Sequence, residues 1–276
     1  MIDLERVLVI GGSGMVGSQI DFGIKPSHAE LDITDPISVQ RGFAAHRPSV
    51  VLLLAGIIDV KKAEHDPAVA ERVNVKGAAH VADACARANI PLVYYSSCMV
   101  FDGTKPSPYV ESDVPHPLTV YGKTKSAGET EVLSRSPGSL VIRTGWLFGG
   151  FERDVKFVHR FHDALVAGES IRATNDRFGS PTYVPDLIAA TVSLMHAGVS
   201  GIMHVVNSGV VSYFTVAEEI KKLTGASAEV IGITQRELDP RSEPRGAMEG
   251  LASERGMQLR PYEEALAEYI HALAKR

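Results

Sequence analysis

An α/β fold with a parallel sheet is the fold class that the sequence predicts, and three observations lead to it. Short aliphatic runs alternate along the chain with longer segments of helical spacing. The runs are typical of strands that are buried on both faces. Glycines and prolines cluster between the segments, where loops are expected. Strands that alternate with helices form right-handed βαβ units, so we predict a doubly wound parallel sheet with a smaller C-terminal lobe.

The predicted elements follow these runs in order. Strands are expected at residues 7–10, 50–54, 92–95, 140–143 and 202–206. Helices are expected at residues 67–89, 119–133, 184–196, 214–224 and 262–275. We assign residues 1–150 and 181–210 to the sheet domain, and residues 151–180 and 211–276 to the smaller lobe.

Composition excludes several classes of protein. With 276 residues, of which 45% are hydrophobic, the chain can bury a large core without disulfides. Its net charge of −5 gives no field that attracts nucleic acid. The two cysteines, Cys85 and Cys98, form neither a metal site nor a secreted disulfide framework. Residues 50–58, the longest apolar run, are too few for a membrane span of about 20 residues, so we expect a cytoplasmic protein without metal or membrane partners.

A glycine motif follows the first predicted strand directly. Gly11, Gly14 and Gly17 have the spacing Gly-x-x-Gly-x-x-Gly, with Met15 and Val16 inside it. Glycines at a strand–helix junction let backbone N–H groups approach a pyrophosphate at the helix N-terminus. The alternative is a plain glycine-rich turn, but the position in an alternating chain favours a Rossmann-like dinucleotide site.

The segment after this motif is unusually short. Only 13 residues separate Gly17 from Leu31, and they leave little room for a helix of about 10–12 residues and a strand of about 5. We therefore predict that the first helix has one or two turns, or that the second strand is nearly absent. Asp32 lies where a ribose-binding acid is sought, and a turn or cap role is an equal alternative.

A tyrosine and a lysine four residues apart are the candidate catalytic pair. Tyr121 and Lys125 lie on one face of the predicted helix, where a lysine charge favours the phenolate and promotes proton exchange with a carbonyl oxygen. The structural alternative is a tyrosine ring packed on the lysine stem. Ser96 and Ser97 follow a predicted strand at the sheet edge where ligands bind, or cap a helix. Together these groups indicate hydride transfer.

The motifs resemble the extended short-chain dehydrogenase/reductase superfamily, and within it the dTDP-4-dehydrorhamnose reductase family. Segments similar to that family occur in its order over most of the chain. They are LDITDP at 31–36, RP at 47–48, VN at 73–74 with Gly77, VFDG at 100–103, PYVESDVPHPLTVYGKTKSAGE at 108–129, RTGWLFG at 143–149 and NDRFGSPT at 175–182.

The resemblance implies roles for individual residues. Tyr121 would be the general acid, Lys125 would bind the nicotinamide ribose and assist Tyr121, and Ser97 would bind the substrate carbonyl. NADPH or NADH would be the cofactor. The other implied cofactor contacts are Gly11, Gly14, Met15, Val16, Gly17, Asp32, Ile33, Ala55, Gly56, Asn74 and Ser96. Core packing, a tight turn or a cap is the alternative role for each of them.

A nucleotide-sugar substrate is implied as well, and here the sequence departs from the family. Residues 96–99 are SSCM in place of Ser-Thr-Asp-Tyr, Arg177 replaces a Gln, and residues 245–251 keep only the Arg and the Leu of a longer motif. Arg143 and Trp146 are expected at the pocket edge, with a salt-bridged Arg and a core Trp as the alternative. The predicted substrate contacts are Cys98, Val100, Phe101, Trp146, Arg177 and Arg245.

The predicted activity is the reduction of a 4-keto group on a nucleotide-linked 6-deoxyhexose. Two alternatives are a sugar-nucleotide epimerase or dehydratase, and a non-catalytic nucleotide-binding subunit, a role that some relatives such as the regulatory subunit of methionine adenosyltransferase have. A homodimer is left open. In the short segment, Lys25 near the adenosine ribose would favour NADPH and Glu30 would favour NADH, with Asp21 and His28 nearby. We predict affinities for the two cofactors within about tenfold, ~1.4 kcal/mol.

Overall fold

The computed structural model of the chain describes residues 2–240 and 246–275. The strands in chain order are β1 (Val7–Ile10), β2 (Val50–Leu53), β3 (Leu92–Ser97), β4 (Leu140–Thr144), β5 (Leu147–Phe148), β6 (Ile171–Thr174), β7 (Phe178–Gly179), β8 (Thr182–Tyr183), β9 (Gly201–His204), β10 (Asn207–Ser208), β11 (Val211–Ser212), β12 (Val230–Ile233) and β13 (Leu259–Pro261). The α-helices are α1 (Met15–Gln19), α2 (Pro36–His46), α3 (Val60–His65), α4 (Pro67–Glu71), α5 (Ala78–Ala88), α6 (Val120–Arg135), α7 (Phe157–Val166), α8 (Val184–His196), α9 (Tyr213–Thr224), α10 (Gln235–Leu238) and α11 (Tyr262–Leu273).

The first of two compact units contains the central parallel sheet. It comprises residues 1–101, 114–143 and 188–203. The sheet has the strand order β1-β2-β3-β4-β9, and Val7 of β1 pairs with Val50 of β2 in parallel register. All four residues of β1 and of β2 are buried, as expected for strands covered on both faces. The predicted Rossmann-like fold class is confirmed.

The short segment after the glycine motif satisfies both predicted alternatives. Helix α1 has five residues, and the second strand is reduced to a parallel bridge between Ile24 and Leu8. The Ile24 amide donates to the Val7 carbonyl at 2.7 Å, and its own carbonyl accepts from Val9 at 2.8 Å. With only 13 residues before Leu31, the chain makes one turn and one bridge instead of a full helix and strand.

The segment predicted as one helix over residues 67–89 contains an irregular turn. Between α4 and α5 the chain forms a π-helical turn at Arg72–Gly77, and Asn89 ends α5 in the left-handed conformation. Turns of this kind are rare and occur frequently at functional sites. The predicted strand over 7–10 and the predicted helix over 184–196 match β1 and α8, and the other predicted helices and strands shift by one or two residues at their ends.

The second compact unit has small paired strands in place of one large sheet. It comprises residues 102–113, 144–187 and 204–276. Strand β6 pairs with β12 and β5 with β8, both in parallel, over a core that includes Phe148, Tyr183 and Tyr269. These units differ from the predicted domain ranges at residues 102–113, 144–150, 181–187 and 204–210. Strands β5, β8 and β10 pair within the second unit, and Tyr109 forms a parallel bridge with Leu251 there. Among the described residues no helix has the length and apolar character of a membrane span.

Candidate active site

Helix α6 begins at the carboxyl end of β3 and carries the candidate catalytic pair. Thr119 caps the helix, since its side chain accepts from the Gly122 amide at 3.0 Å. The Glu64 carboxylate accepts from the Val120 amide at 2.7 Å. A Cβ on Gly122 would lie only 2.1 Å from the Met99 carbonyl oxygen. A glycine at this position therefore lets the helix start directly against the turn that follows β3.

This close approach brings Tyr121 and Ser97 together. Ser97 ends β3, and its hydroxyl lies near the buried Tyr121 phenol. Burial raises the pKa of Tyr121 to about 12, although the Ser97 hydroxyl acts in the opposite direction. The lowering of this pKa that was expected from Lys125 is not found, because burial is the largest influence on the phenol. At neutral pH Tyr121 is therefore a protonated phenol, which suits a proton donor.

Lys125 lies one helical turn beyond Tyr121 and is also buried. Its ammonium nitrogen is 4.0 Å from the centroid of the Tyr94 ring. Burial lowers the pKa of Lys125 to about 7, and the Glu129 carboxylate opposes this shift. Glu129 accepts from the Arg143 guanidinium at 2.9 and 2.7 Å and from the Ser96 hydroxyl. Arg143 therefore forms the salt bridge considered for it, and its place at the pocket edge stays a prediction.

The π-helical turn supplies Asn74, which links three segments of this unit. Its side-chain oxygen accepts from the Ile57 amide at 2.8 Å. Its side-chain nitrogen donates to the Ile57 carbonyl and to the Thr124 hydroxyl, both at 3.0 Å. Thr124 lies between Tyr121 and Lys125 on α6. A Cβ on Gly56 would be 2.9 Å from the Asn74 oxygen, so these two predicted cofactor residues are neighbours.

The glycine loop packs its backbone closely against neighbouring backbone. Gly11 has a φ of +97°, and a Cβ there would lie 2.6 Å from the Ala55 amide nitrogen. The approach at Gly17 is equally close, because a Cβ on that residue would lie 2.5 Å from the Gly11 carbonyl oxygen. Gly14 is the exposed N-cap of α1 and has no side chain to cover the first-turn amides of Met15 and its neighbours. These residues fit the phosphates of a dinucleotide.

Asp32 and Ile33 have structural roles that account for their positions. The Asp32 carboxylate accepts from the amide and the hydroxyl of Thr34, both at 2.8 Å, so Asp32 fills the turn role considered for it. Ile33 is buried, and its side chain packs against Gly77. Contact of either residue with an adenine stays a prediction.

Lys25 lies against the glycine loop, whereas Glu30 is held elsewhere. A Cβ on Gly12 would be 2.8 Å from the Cβ of Lys25, and the Lys25 ammonium donates to the Ile20 carbonyl. The Glu30 carboxylate accepts from the amide of Ser27 at 2.7 Å and from its hydroxyl at 2.8 Å. The hydrogen bonds from Ser27 hold the pKa of Glu30 below its usual value. Of the two charged side chains, Lys25 is the one in contact with the loop.

The predicted substrate residues of the first unit form a buried turn after β3. Cys98 and Val100 begin and end this turn, and Phe101 follows it. Val100 has no exposed surface, and the other two are nearly buried. The Arg143 guanidinium carbon is 5.1 Å from the centroid of the Phe101 ring. Substrate contacts by these three residues stay predictions.

Trp146 and Arg177 lie in the second unit and share one carboxylate. The Trp146 indole N–H donates to Glu249 at 2.7 Å, and the Arg177 guanidinium donates to the same carboxylate. The indole stacks on the Tyr213 ring at a centroid distance of 3.8 Å. Trp146 has a φ of +46°, an uncommon conformation for a residue with a side chain. Arg245 lies outside the described residues.

Sequence reasoning missed three residues of these clusters. Glu129 follows Lys125 at the i+4 spacing, which was a readable signal for a charge next to the lysine. Glu249 and Tyr213 had no local signal, because their partners lie distant in the sequence. The described residues contain no cluster of three His, Cys, Asp or Glu side chains suited to a metal ion.

Comparisons with known proteins agree with this arrangement. A family model described as the RmlD substrate binding domain matches residues 5–275. The chain is 35% identical to the dTDP-4-dehydrorhamnose reductase of Mycobacterium tuberculosis, over 98% of this chain and 94% of that protein. It is 33% identical to the dTDP-4-keto-6-deoxy-D-glucose reductase of Streptomyces niveus over 80% of each. The crystal structure of the Bacillus anthracis dTDP-4-dehydrorhamnose reductase in complex with NADP is similar, with a TM-score of 0.92 and 29% identity over 98% of this chain and 100% of that chain.

Proposed function

The chain belongs to the dTDP-4-dehydrorhamnose reductase family, and we propose that it reduces the 4-keto group of a dTDP-linked 6-deoxyhexose. It is an NAD(P)-dependent oxidoreductase. The observation that carries the proposal is the protonated Tyr121 beside the Ser97 hydroxyl, with Lys125 one turn away. Such a pair can deliver a proton to a carbonyl oxygen while a hydride reaches the carbon.

The side chains of this unit divide the reaction between them. A bound reduced nicotinamide supplies the hydride. The Tyr121 phenol gives its proton to the carbonyl oxygen, and the Ser97 hydroxyl donates a hydrogen bond to that oxygen and orients it. A protonated Lys125 favours the phenolate that remains on Tyr121. The substrate thus gains one hydride on carbon and one proton on oxygen, which makes an alcohol.

We also propose how the chain divides its binding tasks. The glycine loop of the first unit would hold the pyrophosphate through Gly11, Gly14 and Gly17, and Lys125 would bind the nicotinamide ribose. Trp146 and Arg177 in the second unit would contribute to the nucleotide-sugar site. Glu249 limits what Arg177 can do there, because a guanidinium already paired with a carboxylate attracts a diphosphate less strongly. A cytoplasmic location and the dTDP nucleotide are part of the same proposal.

The reaction can be tested directly with the purified chain. Incubation with NADPH and a dTDP-4-keto-6-deoxyhexose should consume one NADPH for each alcohol formed, as measured by NADPH absorbance and product mass. Release of tightly bound NAD⁺ from the purified protein, with no net NADPH consumption, would instead support an epimerase or dehydratase. Cofactor binding without turnover, together with a stable partner enzyme, would support the regulatory subunit.

Lys25 gives a specific prediction for cofactor choice. The Lys25 stem packs beside the glycine loop, and we expect its ammonium group to exchange the Ile20 carbonyl for a 2′-phosphate. Lys25→Ala should therefore weaken NADPH binding by up to about tenfold, ~1.4 kcal/mol. NADH affinity should stay within about twofold of the wild type, since NADH lacks this phosphate. Calorimetric titration of both cofactors measures the two effects.

Glu30→Gln is the matched control for this prediction. Since Ser27 already holds the Glu30 carboxylate, the substitution should change neither cofactor affinity. Equal weakening of NADPH and NADH by Lys25→Ala would contradict the phosphate role. A wild-type preference of about a hundredfold for either cofactor would contradict the weak discrimination expected from this short segment.

A further inference from the structure

Three charged side chains are buried together beside the candidate catalytic pair. Lys125 and Glu129 lie one turn apart on α6, and Arg143 lies on β4. Their exposed fractions are 5%, 3% and 1%. Burial of a charge is costly unless the charge is paired, so each of these groups must be compensated by its neighbours. The roles implied for the reaction use Lys125 and leave the other two unexplained.

Arg143 and Ser96 fix the Glu129 carboxylate in place. The guanidinium reaches both carboxylate oxygens in a two-pronged pair, at 2.9 and 2.7 Å, and the Ser96 hydroxyl donates to one of them. Among the described residues, the second terminal nitrogen of Arg143 (Nη1) and the Tyr94 hydroxyl are buried without a hydrogen-bond partner.

Groups on α6, β3 and β4 can influence the charge of Lys125. Tyr121 and Glu129 lie one turn before and one turn after it on its own helix, and the Tyr94 ring faces it from β3. Arg143, from β4, reaches this cluster through Glu129. The pKa of Lys125, about 7, means that the amine is partly protonated at neutral pH. A nearby charge therefore changes the protonated fraction strongly.

We propose that Glu129 is a positioning residue that keeps Lys125 protonated, and that Arg143 limits the attraction which Glu129 exerts on it. Glu129 lies buried one helical turn from Lys125, where its negative charge favours the ammonium form. Arg143 occupies both carboxylate oxygens and offsets part of their charge. This inference rests on the proposed function of Lys125 in the reducing site.

Substitutions of Glu129 and of Arg143 should shift the pKa of Lys125 in opposite directions. Glu129→Gln removes the attraction and should lower the Lys125 pKa by about one unit, a tenfold change in protonation. Arg143→Met frees the carboxylate and should raise it. Carbon NMR of the full-length protein labelled in the lysine side chains measures this pKa without substrate. The pH at which the reduction rate falls should move with it in each variant.

Glu131→Gln is the matched control, because Glu131 lies on the same helix in an exposed ion pair with Arg135 at 2.7 Å. It should leave the Lys125 pKa unchanged. If either single variant is unfolded, Glu129→Asp and Arg143→Lys replace them, because both keep the original charge. Glu129→Asp should lower the Lys125 pKa and Arg143→Lys should raise it, each by less than the first variants.

The inference would be overturned if the Glu129 and Arg143 variants shifted the Lys125 pKa in the same direction, or did not shift it. A merely structural ion pair would lose activity in both variants without moving this pKa in opposite directions. A wild-type protein that titrates at Lys125 but oxidises no NADPH would count against the proposed function alone. The two failures are thus separate.

Discussion

Tyr121→Phe should lower the turnover of NADPH-dependent reduction by about 10²–10⁴-fold, the usual contribution of a general acid. The substitution removes only the hydroxyl that lies near Ser97 and carries the proton. The ring still packs with Ala63 and Ala70, so the fold should be retained. Turnover at saturating NADPH and substrate, with circular dichroism of the same sample, measures both expectations.

Tyr95→Phe is the control for this result, since it also removes a buried tyrosine hydroxyl. The Tyr95 hydroxyl bonds Thr191 at 2.6 Å and is not part of the proposed reaction. Its loss should cost stability, about 1 kcal/mol, and leave turnover unchanged. Equal turnover of Tyr121→Phe and wild type would exclude Tyr121 as the acid. A large loss of NADPH affinity would place its hydroxyl in binding instead.

The pH dependence of the reaction follows from the two pKa values of the catalytic pair. Tyr121 donates a proton, so its activity is lost only as pH rises toward about 12. Lys125 acts while it is protonated, and its pKa of about 7 in the protein without ligands places the first decline near neutral pH. The fall in activity near neutral pH therefore reports the deprotonation of Lys125, and Tyr121 stays protonated over that pH range.

The parts that sequence reasoning predicted well depend on local patterns. The first strand at residues 7–10 and the helix at 184–196 have the predicted ends, because short aliphatic runs and helical spacing determine both. Tyr121 and Lys125 were predicted on one helix face from their spacing, and the structure places them so. The motif order also identified the family.

The parts that it could not predict depend on contacts between distant segments. The π-helical turn holds Asn74 where it reaches Ile57 and Thr124, and no spacing within the turn reveals those partners. Burial raised the pKa of Tyr121 although its sequence neighbour Lys125 was expected to lower it. Desolvation depends on the whole packed unit, so a pattern of four residues does not report it.

The start of α6 gives the second large expected effect. Gly122→Ala places a Cβ 2.1 Å from the Met99 carbonyl oxygen and 3.0 Å from a side-chain carbon of Pro117. A backbone oxygen cannot swing away, so either the helix start or the turn after β3 must move. That motion separates Ser97 from Tyr121, and a misplacement of about 1 Å can lower turnover about 10²-fold. Turnover and melting temperature should both fall.

This expectation opposes the one from helix propensity alone, because alanine in a helix is better than glycine by about 0.5–1 kcal/mol. Gly138→Ala is the control, since a Cβ there meets nothing within 4 Å, and it should leave turnover unchanged. The double variant Tyr121→Phe/Gly122→Ala separates the mechanism from general damage. If Gly122→Ala acts by moving Tyr121, its cost should shrink once the hydroxyl is gone. A cost that stays the same on both backgrounds would show that Gly122 matters for something other than the Ser97–Tyr121 pair.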